Sequence, residues 1–163
     1  MYITFDEYSK LYDTMDEKVF NRLEFDACRV MDIHTTGIDN VKKLKRFPPV
    51  NEDDAMAVKH CAARIINLMH QIQKAEASAM ETIGYESTDM GMRGKVISSV
   101  TAGNESFSYT TGAASATAID AAVKDKTVRD KLVADTVREY MSGITDANGV
   151  NLLYMGKYPR RYL

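Results

Sequence analysis

Apolar side chains recur at steps of three and four through several stretches of the chain, a spacing that predicts amphipathic helices. Phe5, Tyr8, Leu11 and Tyr12 follow a Thr4-x-x-Glu7 capping box and predict a short helix over about 4–12. Thr14 and Glu17 repeat the box. Val19, Phe20, Leu23, Ala27, Val30 and Met31 then mark a helix over about 15–35 that Gly37 stops. Asn51, Asp53 and Asp54 supply a cap and negative charge for a third helix over about 52–83. Its stripe runs from Val58 through Cys61, Ala62, Ile65, Leu68 and Ile72 to Ile83, long enough for the central helix of a bundle. Val128, Leu132, Val133, Val137, Tyr140 and Met141 predict a fourth over about 127–142, ended by Gly143.

Between the third and fourth helices the period changes. Residues 85–94 are rich in Gly, Asp, Ser and Met and read as a loop. Val96, Ile97 and Val100 flank Ala102-Gly103-Asn104-Glu105 with Phe107 and Tyr109, which alternate with Ser106, Ser108 and Thr110. That alternation predicts a β-hairpin over about 95–110. A lone two-stranded hairpin is marginal in water, so the bundle or another subunit must cover it. The alanine-rich stretch 110–122 reads as a linker or a weak helix start. Residues 149–163 are apolar, aromatic and basic without a helical period, and predict an extended tail that either folds back on its own bundle or is covered by a partner. The expected fold is mainly α: a bundle of about four helices with a long central helix, a protruding hairpin and a C-terminal tail, in one domain over 1–163.

Composition narrows the possibilities. The chain has 163 residues, 45% hydrophobic and 27% charged, which are globular proportions and exclude disorder throughout. Twenty-one basic against 23 acidic residues leave a net charge of −2, so no global basic field exists to hold nucleic-acid phosphates. MYITFDEYSK lacks a signal peptide's basic and apolar regions, and no apolar run is long enough for a membrane span, so a soluble protein made in the cytoplasm is expected. Cys28 and Cys61 fall within helical segments and behave as small apolar residues.

Chemistry is sparse. The sequence has no phosphate-binding glycine loop, nucleophile elbow or zinc-protease motif. His34, His60 and His70 lack ligand spacing, and both cysteines sit on apolar stripes, so no enzyme activity, cofactor or metal is expected. Lys42, Lys43, Lys45 and Arg46 form a local basic run beside Phe47-Pro48-Pro49, read as a solvated loop or a contact for an acidic partner. Met90-Gly91-Met92 reads as an adaptable contact or a flexible loop. The tail interleaves Lys157, Arg160 and Arg161 with Tyr154, Tyr158 and Tyr162, a composition enriched at protein interfaces. The candidate interface residues are therefore Val96, Ile97, Val100, Phe107 and Tyr109 of the hairpin, with Leu152, Leu153, Tyr154, Tyr158, Arg160, Arg161 and Tyr162 of the tail.

The order of these elements resembles the head–tail connector (adaptor, or head-completion) family of tailed bacteriophages. The carrying segments are Ile3-Thr4-Phe5-Asp6-Glu7-Tyr8 and Phe20-Asn21-Arg22-Leu23-Glu24-Phe25-Asp26-Ala27, then the hairpin Lys95–Tyr109. Tyr140-Met141-Ser142-Gly143 and Leu152-Leu153-Tyr154-Met155-Gly156 complete the order. The residues beyond Gly156 match no family segment. The resemblance implies a structural virion protein at the neck, synthesised in the host bacterium's cytoplasm. It implies a homo-oligomeric ring of about twelve subunits beneath the portal, closed by a head-to-tail interface. Its partners would be the portal, a tail-side completion or stopper protein, and DNA passing through the lumen without sequence readout. The rival reading is a small helical DNA-binding protein, such as a regulator or terminase small subunit. It needs a basic recognition helix, whereas residues 51–83 balance Lys59, Arg64 and Lys74 against Glu52, Asp53, Asp54, Glu76 and Glu81.

Overall fold

The computed structural model describes the backbone of residues 1–12, 15–81, 83–88, 91–96, 99–102, 105–108 and 118–162, and the side chains of 1–12, 15–77 and 118–162. The chain is mainly helical. Helix α1 (Phe5–Ser9) starts at the expected box: the Glu7 N–H donates to Thr4 Oγ1 at 3.3 Å, and the Thr4 N–H donates to Glu7 Oε2 at 2.9 Å. It stops short of the expected residue 12, and Leu11 closes a turn on the Tyr8 carbonyl at 2.9 Å.

Helix α2 (Glu17–His34) is capped by Asp16, whose carboxylate accepts the Lys18 and Val19 N–H groups at 2.8 and 3.4 Å. The expected cap, Thr14, lies outside the described residues. Phe20, Leu23, Ala27 and Met31 are buried at steps of three and four, as the stripe requires. Phe20 packs its ring 5.3 Å from both Phe5 and Tyr8, joining α1 to α2. The segment read as a plain connection holds a four-residue helix, α3 (Lys43–Arg46), with Lys43 and Leu44 turned inward.

Helix α4 (Glu52–Glu81) runs 30 residues, and Asn51 Oδ1 accepts the Asp53 N–H at 3.0 Å at its start. Ala63 and Ile66 are buried beside the expected Val58, Cys61, Ala62, Ile65, Leu68 and Ile72, so the helix is covered on more than one side. Within the alanine-rich stretch lies helix α5 (Ala118–Lys124). Asp125 follows, and its carboxylate accepts the Thr127 N–H at 2.7 Å to start helix α6 (Lys126–Met141). Val133, Val137 and Met141 form the buried face of α6.

The single protruding hairpin over 95–110 is not supported. Strand β1 (Ile83–Thr88) pairs antiparallel with β2 (Gly91–Val96), so Val96 stands opposite Ile83 and belongs to a pair that includes the supposed loop. A second pair joins β3 (Ser99–Ala102) to β4 (Glu105–Ser108), with Val100 opposite Phe107. Glycines in 84–94 hid the first pair, because period-2 reading relies on side chains that Gly does not carry. Ile97 and Tyr109 lie outside the described residues. The chain, expected as one domain, divides into two compact units: Met1–His70 with Asp130–Leu163, and Gln71–Arg129. The first holds most of the described core. In the second, Ile72 and Ala122 are buried and Arg129 pairs with Glu76 at 3.2 Å. Among the described residues no helix is long and apolar enough to cross a membrane.

Candidate interaction surface

Beyond α6 the chain reverses. The Asp146 N–H donates to the Val150 carbonyl at 2.8 Å, and the Leu152 N–H donates to the Ile144 carbonyl at 3.0 Å. Gly149 completes the turn at φ 77°, the left-handed region where a side chain is disfavoured. Buried Asp146 organises it: Oδ1 accepts the Asn148 and Val150 N–H groups at 2.8 and 2.9 Å. Its Oδ2 accepts the Tyr158 hydroxyl at 2.5 Å, and that hydroxyl in turn accepts from Asn148 Nδ2 at 2.9 Å.

Tyr158 fastens this C-terminal strap to the loop after α2. Its ring stacks on Phe47, with centroids 5.1 Å apart and planes 11° from parallel. Its backbone N–H donates to Asp39 Oδ2 at 2.6 Å, and the residue is only 3% exposed. Burial, then the hydrogen bond to Asp146, push the phenol up to about 12. The Tyr158 N–H is the foremost cause holding the Asp39 carboxyl below its ordinary value.

Lys43 lies beneath the same strap. It is 1% exposed, and its ammonium donates to the Tyr154 carbonyl. Burial lowers its pKa, opposed by the charges of Asp146 and Asp39. A buried cation facing two carboxylates, with a carbonyl as acceptor, is how a folded interior tolerates such a group. Gly37 makes the approach possible. A Cβ there would stand 2.5 Å from the Gly156 carbonyl oxygen, and the neighbouring Ile38 N–H donates to the Met155 carbonyl at 3.0 Å.

The expected tail is therefore largely an internal strap. Leu152 and Tyr158, proposed from sequence as interface residues, are buried in their own chain, because Asp146 and Phe47 give Tyr158 partners that solvent cannot replace. Leu153 and Tyr162 are half-buried, the latter with the Arg161 guanidinium 4.6 Å from its ring centroid. Tyr154, Arg160 and Arg161 stay exposed, and exposed Met155 is joined by its carbonyl to the N–H of exposed Ile38. In the basic run, Lys42, Lys45 and Arg46 are exposed and Lys43 is not. Sequence reading missed Asp39 and Asp146, and placed Lys43 in the solvated basic run although it turns inward. The available signal was Asp146-Ala147-Asn148-Gly149, a turn-forming string that announces carboxylate-to-backbone bonds.

A second feature is an open groove of about 1090 Å³ between one face of α2 and the loop that follows it. Phe25, Arg29 and Ile33 border it on the helix side, and Lys42, Lys45 and Pro48 on the other. The carboxylates lining it are engaged within the chain. Glu24 accepts from Cys28 Sγ at 2.9 Å and from the Tyr2 N–H at 3.3 Å, and Asp32 accepts the Tyr2 hydroxyl. Burial, then Glu24, push the Cys28 thiol up to about 12, and burial alone does the same to Cys61. Both thiols are protonated at neutral pH, which leaves them weak nucleophiles. Among the described residues, no group of three or more His, Cys, Asp or Glu side chains could hold a metal ion. No family model, curated protein or solved structure matches the chain.

Proposed function

We propose that this protein is a structural head–tail connector: a ring-forming adaptor beneath a bacteriophage portal that extends the DNA channel and joins capsid to tail. In this reading a helical bundle supplies the body of the protomer, and no covalent chemistry is done. One observation carries it beyond the order of elements. The C-terminal strap presents Tyr154 and Met155 to solvent, with Met155 bonded through its backbone to exposed Ile38, on a backbone held by Lys43, Asp39 and Asp146. Large apolar side chains on a fixed scaffold suit docking by shape complementarity. The net charge of −2 suits a lumen that DNA crosses without sticking.

Deleting residues 154–163 would remove the buried Tyr158 and so disturb the core, which makes point substitutions the better probe. Native mass spectrometry with and without a portal should show a multimer on the portal for the wild-type chain. Tyr154→Ser with Met155→Ser should weaken that binding about tenfold or more while the fold is retained. A chain that ignores the portal, yet is retained on duplex DNA at physiological salt and released by added salt, would favour the DNA-binding alternative.

A further inference from the structure

The groove beside α2 has an unusual edge. Phe25 and Ile33 are 68% and 58% exposed on one helix face, four residues either side of the exposed Arg29. Lys42 and Lys45 stand exposed across the opening. None of these three cations forms a salt bridge among the described residues, whereas the groove's own carboxylates are occupied by Tyr2, Cys28 and the N-terminus. What fits is a segment with large apolar side chains flanked by unpaired acids.

The chain itself carries such a segment. The corner leading into α4 exposes Val50 and Met56, at 79% and 57%, around exposed Glu52 and Asp53. Neither acid is in a salt bridge among the described residues, and none of Val50, Glu52, Asp53 and Met56 lines the groove of its own chain. We infer that the groove receives the Val50–Met56 corner of a second copy, with Val50 and Met56 against Phe25 and Ile33, and Glu52 and Asp53 facing Arg29, Lys42 and Lys45. The two patches differ, so the contact is head-to-tail and can close into a ring. The inference rests on the connector reading and gives its ring a specific subunit contact.

Charge exchange tests it. Sedimentation velocity and native mass spectrometry at low salt should show concentration-dependent association that added salt weakens. Lys42→Glu with Lys45→Glu, or Glu52→Lys with Asp53→Lys, should each weaken it about tenfold or more. Mixing the two charge-reversed proteins should restore association, because each reversed patch meets its complement. All four positions are exposed, so circular dichroism should match the wild type. Association that ignores the reversals overturns the contact while leaving the connector reading to the portal experiment. A monomer at every concentration also overturns it. Rescue that stops at two copies keeps the contact and overturns the ring.

Discussion

Tyr158 is held at both ends: its hydroxyl donates to buried Asp146, and its backbone N–H donates to Asp39, over a hundred residues earlier. The phenol's pKa rises from 10.0 to about 12 in the folded chain. Below pH 10.0 both states keep the proton and the full contribution is present. As pH climbs from 10.0 to about 12 the unfolded chain ionises first, so stability falls. Tyr158→Phe should cost about 1.5–3 kcal/mol at neutral pH, the usual worth of a hydrogen bond to a charged acceptor. It should also flatten the alkaline loss, which paired urea titrations at neutral and alkaline pH would read out. An unchanged alkaline slope would move that titration to Tyr2, whose phenol is also raised by burial and Asp32. At this scale sequence could not separate Lys43 from Lys42 and Lys45. Three lysines in one short run look alike, and only the distant Asp146 and Tyr154 decide which one turns inward.

The strap depends on how closely two backbones approach at Gly37 and Gly156. Gly37→Ala sets a methyl 2.5 Å from a carbonyl oxygen, and backbone cannot swing aside as a flexible side chain can. The substitution should destabilise by roughly 1–3 kcal/mol, as overpacking does, and lower the thermal midpoint in a calorimetric scan. A midpoint equal to the wild type would mean that the strap lifts away easily. The helices show what sequence can reveal about elements. The buried faces of α2, α4 and α6 were legible because each repeats over several turns. Helix α3 was not, since four residues hold barely one turn and three of them are cationic. The strap was illegible for a different reason. Its order comes from carboxylate-to-backbone bonds and one aromatic stack, which leave no period. The cap of α2 moved from Thr14 to Asp16 because Asp is at least as good an acceptor there and stands directly before the first turn.

At the scale of the molecule, the first compact unit draws on both ends of the chain, Met1–His70 and Asp130–Leu163. Cys61 lies within that unit, wholly buried, while Cys28 is half-buried at the groove. The thiols should therefore report different events. In Cys28→Ser, labelling of Cys61 by a disulfide reagent at neutral pH should proceed no faster than unfolding. In Cys61→Ser, Cys28 should react sooner, through local opening of the groove. Stopped-flow absorbance alongside an unfolding rate measurement separates the cases, and equal rates in native buffer would remove Cys61 from the core. The candidate surface was half legible at this scale: the tail's aromatic and basic composition marked where contacts concentrate, but not which contacts turn inward.

The pairing of Asp39 with Tyr158 also imposes an order in time. These residues are 119 positions apart, and the strap between Ile144 and Tyr158 supplies both Asp146 and the Tyr154 carbonyl to Lys43. A ribosome that has delivered Lys43 needs on the order of ten seconds more to deliver its partners. Throughout that interval the cation destined for the interior must stay hydrated, and the loop around it cannot close. Closure of this unit therefore waits for the strap, which makes late chain arrest more damaging than its small share of the sequence suggests.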